Sequence, residues 1–134
     1  NGGRIIVAGP NLCSPITSVL DLLRLIAGGQ GRPIWAETKK QAFQGLIRNI
    51  EYYFQKRSLA EPNFVFRQPD LENQIIGGDA DSVYISSPID LERFFENAGL
   101  SIVKLSVGFG LKGRLVAAFF PRLSPYISMV IEKK

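Results

Sequence analysis

Histidine is absent from the 134 residues, and Cys13 is the lone cysteine. This removes the Ser-His and Cys-His couples of nucleophilic catalysis, any His-containing zinc site, a thiolate cluster and an internal disulfide. Carboxylates, amides and aromatic rings remain. Asp79 and Asp81, two apart in a Gly-rich stretch, could share a cation, but the sequence beyond them lacks the further acids and closing Glu of a calcium loop. Loop solvation or turn capping is the plainer reading of that pair. Gly108-Phe109-Gly110-Leu111-Lys112-Gly113 spells G-x-G-x-x-G directly after an expected strand. Such a loop holds a pyrophosphate only where a full helix comes next, with a parallel strand and an acid beyond. Pro121 and Pro125 interrupt the segment after Gly113, and Glu132 is its one acid, so a hairpin-like connection is expected instead.

Three further positions carry two readings each. Asn11 could contact a ligand from the carboxyl end of the first expected strand, or serve the turn after Pro10. Trp35, near Pro33, reads as a core plug or as a lid over substrate. Tyr52, Tyr53 and Phe54 are consecutive and so point in different directions on a helix. Most of their area is expected in the core, with one ring left for a pocket wall.

The elements that would position these residues are set by periodicity and breakers. Residues 5–8 form a short β-branched run, which predicts a strand buried on both faces of a parallel sheet. Ser14 and Pro15 cap a helix in which Ile16, Val19, Leu20, Leu23 and Ile26 recur until Gly28-Gly29. Residues 35–59 form the longest periodic segment, with Phe43, Leu46, Ile47, Ile50 and Phe54 on one face and a Thr38/Gln41 capping box. A short strand is expected within 63–68 and loop over 67–82. Ser87-Pro88-Ile89-Asp90 then starts a helix that ends at Ala98-Gly99, strands are expected over 101–107 and 126–132, and 115–120 is a short apolar piece between them.

Composition bounds the rest. Hydrophobic residues make up 46% and charged residues 21%, which excludes a disordered or collagen-like chain. No apolar run is long enough for a membrane span or a secretory segment, so a cytoplasmic location with no membrane partner is expected. The net charge of +4 is mild, and Lys39-Lys40, Lys56-Arg57 and Lys133-Lys134 are scattered, so they read as solvated surface in preference to a nucleic-acid stripe. Asn1-Gly2-Gly3 running at once into a strand suggests a piece of a larger protein.

Gly2-Gly3-Arg4-Ile5-Ile6-Val7-Ala8-Gly9-Pro10-Asn11 resembles the glycine turn, fifth strand and adjoining Pro-Asn of class I S-adenosylmethionine-dependent methyltransferases. Asp81-Ser82-Val83-Tyr84, then Ser87-Pro88-Ile89-Asp90-Leu91 through Asn97-Ala98-Gly99-Leu100-Ser101-Ile102-Val103, is similar to that family's last helix and the strand after it. Tyr126 to Lys134 resembles its final antiparallel strand. The resemblance covers residues 1–11 and about 81–134, and the middle does not share it.

What it implies is a partial Rossmann-like α/β sheet of three strands, the last antiparallel, within a single C-terminal domain part spanning 1–134. Residues 5–8 would lie beside the final strand and 101–107 outermost, with 12–80 a helical insertion above the carboxyl end of the sheet, where open α/β folds bind ligands. The implied chemistry is methyl transfer from S-adenosylmethionine to a small-molecule substrate, with Asn11, Tyr84, Trp35 and Tyr52 on the substrate side and no catalytic base identified. The cofactor-binding half would lie upstream, so this chain alone is expected to be inactive and to hold neither cofactor nor metal. Its uncovered sheet edge predicts self-association as a homodimer or higher oligomer. The competing reading is a small non-enzymatic α/β interaction module for a protein or nucleic-acid partner.

Overall fold

In the computed structural model, residues 3–30, 36–67, 83–105 and 110–133 are described. The β-branched run becomes β1 (Arg4–Pro10), and two more strands complete its sheet: β4 (Leu100–Leu105) and β5 (Tyr126–Lys133), in the order β1-β5-β4. β5 is antiparallel to both neighbours, with Ile5 opposite Ile131 and Val7 opposite Met129 on one side and Ile102 opposite Ile131 on the other. β1 and β4 therefore run in the same direction. This strand arrangement is the one expected, with 5–8 beside the last strand and the strand near 101 outermost. A shift in register between Ile102 and Lys104 marks a bulge in β4.

Alternation along β5 sends Ile127, Met129 and Ile131 to one face, where all three are buried. The helix α3 (Pro88–Asn97) covers that face with Leu91 and Phe95, and Val7, Leu100, Ile102 and Leu105 complete the cluster. Pro88 at the first turn and Asp90 beside the helix N-terminus start α3 as their chemistry demands, although the Ser87 side chain makes no capping bond. Gly99, at φ +76°, turns the chain directly from α3 into β4.

The expectation for β1 needs correction. It is an edge strand with one antiparallel partner in this sheet, and Ile5 and Ile6 are 46% and 73% exposed. A continuous β-branched run signals two covered faces, but here Val7 packs into the cluster under α3 while Ile5 and Ile6 stay exposed.

Two helices lie between β1 and α3. α1 (Pro15–Ile26) starts at Ser14, whose hydroxyl accepts from the Thr17 N–H, and α2 (Lys39–Ser58) starts with the expected capping box of Thr38 and Gln41. Ser14 and Ser18 at the start of α1 meet Asn49 of α2, while Leu25 at its end packs on Ala36 and Ala42. The two helices are therefore antiparallel. Their contact joins the polar Ser14, Ser18 and Asn49 to a small apolar cluster of Leu22, Leu25 and Ala42, and the apolar stripes lie outside it. Ala42, Asn49 and Lys56 are the buried residues of α2, whereas Phe43, Ile47, Ile50 and Phe54 are exposed, as are Val19, Leu20, Leu23 and Ile26 of α1. Periodicity finds the stripe, but only the available partner decides which face is buried.

The short strands β2 (Phe66–Arg67) and β3 (Val83–Tyr84) pair antiparallel. The hairpin-like connection expected after β4 is instead a helix, α4 (Gly110–Phe119), leading into a 3-10 turn at Pro121–Leu123. Pro121 ends that helix without preventing it, because the ten residues of the helix carry no breaker except Gly. Gly108, the strand over 106–107, the Asp79/Asp81 pair and Trp35 lie outside the described residues. Among the described residues no helix is long and apolar enough to cross a membrane. Among the described residues the architecture is mixed α/β, with four α-helices, a three-stranded sheet and a two-stranded one.

Candidate functional site

The carboxyl end of β1 is where the chain gathers its polar side chains. Asn11 is buried there, and its side-chain amide donates to the carbonyls of Arg122, at 3.2 Å, and Ser124, at 2.8 Å. Its Oδ1 accepts from the Cys13 N–H at 3.2 Å, and its own N–H donates to the Pro125 carbonyl at 2.9 Å. Ser14 Oγ donates to the Leu123 carbonyl at 2.6 Å. Ser86 Oγ donates to the Pro10 carbonyl at 2.5 Å and accepts from the Leu12 N–H at 3.4 Å. These bonds tie the turn after β1 to the segment leading into β5 and to the one leading into α3. Satisfying the carbonyls of residues 122–124 and of Pro10 is what a buried Asn and two Ser accomplish here.

Below this turn lies a buried ion pair between Lys56 of α2 and Asp90 of α3, both side chains at 0% exposure. Lys56 Nζ also donates to the Asn63 carbonyl, Asp90 Oδ1 accepts from the Asn63 N–H at 3.0 Å, and the Tyr84 hydroxyl donates to Asp90 Oδ2 at 3.3 Å. Tyr84 in turn accepts from the Ser87 N–H at 3.4 Å. The pair is thus hydrogen-bonded on every side, the condition under which a buried charge pair is tolerated.

Burial sets the electrostatics. Desolvation pushes the Cys13 thiol up from 9.0 to about 11, with the Lys56 ammonium pulling it down and the Asp90 carboxylate pushing it further up. Burial likewise raises the Tyr84 hydroxyl, helped by the charge of Asp90. Near neutral pH both groups keep their protons, so neither is an activated nucleophile. Glu92 is raised by burial too, with Arg122, 2.8 Å away, opposing the shift.

The structure brings Asn11 and Tyr84 to one neighbourhood, bridged by Cys13, which takes its N–H to Asn11 Oδ1 and its thiol to the Ile85 carbonyl at 3.5 Å. Tyr52 is half-buried on α2, one turn before Lys56, with Tyr53 also half-buried and Phe54 63% exposed. Lys56 corrects the reading of Lys56-Arg57 as solvated surface. A signal for it exists in the sequence: Ala42, Asn49 and Lys56 recur every seven residues, which places them on one helix face. Among the described residues no group of three or more metal-binding side chains could hold a metal ion.

No protein family, curated protein or solved structure matches the chain. The site is therefore interpreted from its own chemistry. Side chains at the carboxyl end of β1 are engaged with the chain's own carbonyls. What the arrangement does is hold the turn after β1 against the segments leading into β5 and α3, and α2 against α3.

Proposed function

We propose that this chain is the C-terminal, substrate-side part of a S-adenosylmethionine-dependent methyltransferase of the class I, Rossmann-like kind. One observation carries the reading: β5 is inserted antiparallel between β1 and β4, which run in the same direction. The sequence resemblance leads to that order, and a simple antiparallel meander would have placed β4 between its neighbours. The exposed β1 edge supports it, since further strands would be added there. In this reading S-adenosylmethionine belongs to the upstream half, and no step of the transfer is assigned to these residues.

What the chain contributes is position. Methyl transfer depends on holding the acceptor in line and keeping water out, and the insertion carrying Tyr52 and Trp35 is the part that would do so. Asn11, Tyr84 and the Lys56–Asp90 pair act as positioning residues, fixing the insertion to the sheet. The methyl acceptor is a small molecule in this proposal. Self-association and a cytoplasmic location belong to the same proposal.

Two measurements test it. Isothermal titration of the 134-residue chain with S-adenosylmethionine is expected to show no binding at micromolar concentration; micromolar affinity would overturn the division of labour. Extending the coding sequence upstream is expected to add a Gly-rich strand-loop-helix and to yield methyl transfer from labelled S-adenosylmethionine. An extended product that lacks both favours the second reading, a non-enzymatic interaction module. One observation favours that alternative: the polar groups of the buried cluster are committed to one another.

A further inference from the structure

The helix pair α1 and α2 buries a mixed face, Ser18 and Asn49 beside Leu22, Leu25 and Ala42, and exposes its apolar stripes. The contact between them runs through Ser18, Leu22 and Leu25 on α1 and through Ala42, Gly45 and Asn49 on α2. At about 100° per residue, the apolar stripe on each helix lies roughly 130° from its contact face, turned in the same sense about the helix's own axis. In an antiparallel pair, rotations of the same sense bring both stripes to one side. Leu20, Leu23 and Ile26 therefore share a surface with Phe43, Ile47 and Phe54, all between 44% and 63% exposed. The exposed area of these side chains is on the order of several hundred Å², at or above the largest patch on an ordinary monomer.

The charges beside this surface are mostly of one sign. On α2, Lys39 and Lys40 flank the stripe at one end and Arg57 flanks it at the other, with Glu37, just before the helix, and Glu51 the acids nearby; on α1, Arg24 lies one turn beyond Leu20. Facing a second copy across a two-fold axis, this rim would meet itself and repel. Against an anionic surface the same charges attract, and long basic side chains can keep their heads at the phosphates while their stems lie along apolar surface. The stripes point outward from the helix contact, so they make a broad face and not a cleft between the helices, which suits a plane more than a single inserted helix.

We propose that the α1–α2 face docks onto the surface of an anionic lipid bilayer, both helices lying in the interface with their apolar stripes inward. The expectation of no membrane partner rests on the lack of a span, and a helix pair lying on a bilayer needs none. The inference does not depend on the methyltransferase reading.

Co-sedimentation with vesicles tests it directly. The 134-residue chain is expected to partition at least about tenfold more strongly onto equimolar phosphatidylglycerol and phosphatidylcholine vesicles than onto phosphatidylcholine alone, and to lose that preference in high salt. Phe43→Ser with Phe54→Ser should lower partition on both compositions by about tenfold or more. Lys39→Glu with Lys40→Glu should abolish only the anionic preference. Lys104→Glu, exposed on β4, is the control that leaves partition unchanged. Circular dichroism confirms that each variant keeps its fold, as expected for exposed positions. No partition onto either vesicle overturns the proposal in favour of a protein partner. A dimer by light scattering that Phe43→Ser with Phe54→Ser dissolves, without vesicle binding, overturns it in favour of a second copy.

Discussion

Lys56 and Asp90 behave as a unit because neither charge reaches water. Removing one partner strands the other, so Lys56→Met should cost about 3–5 kcal/mol in urea denaturation. Lys56→Met with Asp90→Leu should cost less than the sum of the single changes, although not nothing, since the Asn63 N–H and the Tyr84 hydroxyl would lose their acceptor. Additive losses would show that the pair does not couple. Cys13 provides a pH signature. Its folded pKa lies above the unfolded value, so the stability it contributes is complete below pH 9.0 and is lost as pH rises through about 11. Cys13→Ala should flatten that alkaline decline, with the raised Tyr84 supplying what remains. At neutral pH the thiol should resist iodoacetamide until the chain is unfolded, as alkylation kinetics with and without urea would show. Little at this scale is legible in the sequence. Asn11 stands out there as a polar residue after a strand, but its commitment to Arg122 and Ser124 depends on a contact across more than a hundred residues.

Helices and their ends are the most readable features, because caps and breakers act within a few residues. The capping box at Thr38, the Ser14 cap and the glycine after α3 all stand where local chemistry puts them. Gly99→Ala places a Cβ on a backbone at φ +76°, and although space is open there, the conformation itself should cost on the order of 1 kcal/mol in thermal unfolding. No loss of stability would mean that the turn can relax. α2 should contain slowly exchanging amides between Phe43 and Phe54 by hydrogen exchange, since its capping and its anchoring through Asn49 and Lys56 hold it from both ends. What local signals do not supply is the inward face of α2. Ala42, Asn49 and Lys56 are poor hydrophobes individually; Ala42 is buried against Leu25 of α1, while Asn49 and Lys56 are buried because α1 and α3 offer them polar partners. The helix at Gly110–Phe119 escapes the sequence for a related reason: glycines near its start read as a turn, and only the residues beyond them disclose the helix they open.

β1 leaves one edge and the apolar side chains of Ile5 and Ile6 open, and a second copy of the chain could cover them. Light scattering at micromolar concentration is expected to show a homodimer or larger species, and Ile6→Lys should shift it toward monomer by placing charge on that strand. A monomer under those conditions would remove the need for a cover. The position of β5 carries a different implication, for the order in which the chain can form. It is the middle strand, yet it comes after both of its neighbours in the chain, and Arg4 meets Glu132 across a separation of 128 residues. During synthesis, β1 and β4 leave the ribosome with no strand between them to join, and closure of the three-stranded sheet must wait for 126–133 to emerge, whereas the α1–α2 contact, the β2–β3 pair and the Lys56–Asp90 bridge can close before it. β1 therefore stays an orphan apolar strand until β5 arrives, joined in that state by β4 once residue 105 is made, while the capped helices can already form. A ribosome stalled before Tyr126 would hold helices and the β2–β3 pair without the three-stranded sheet, which would assemble in a single late event.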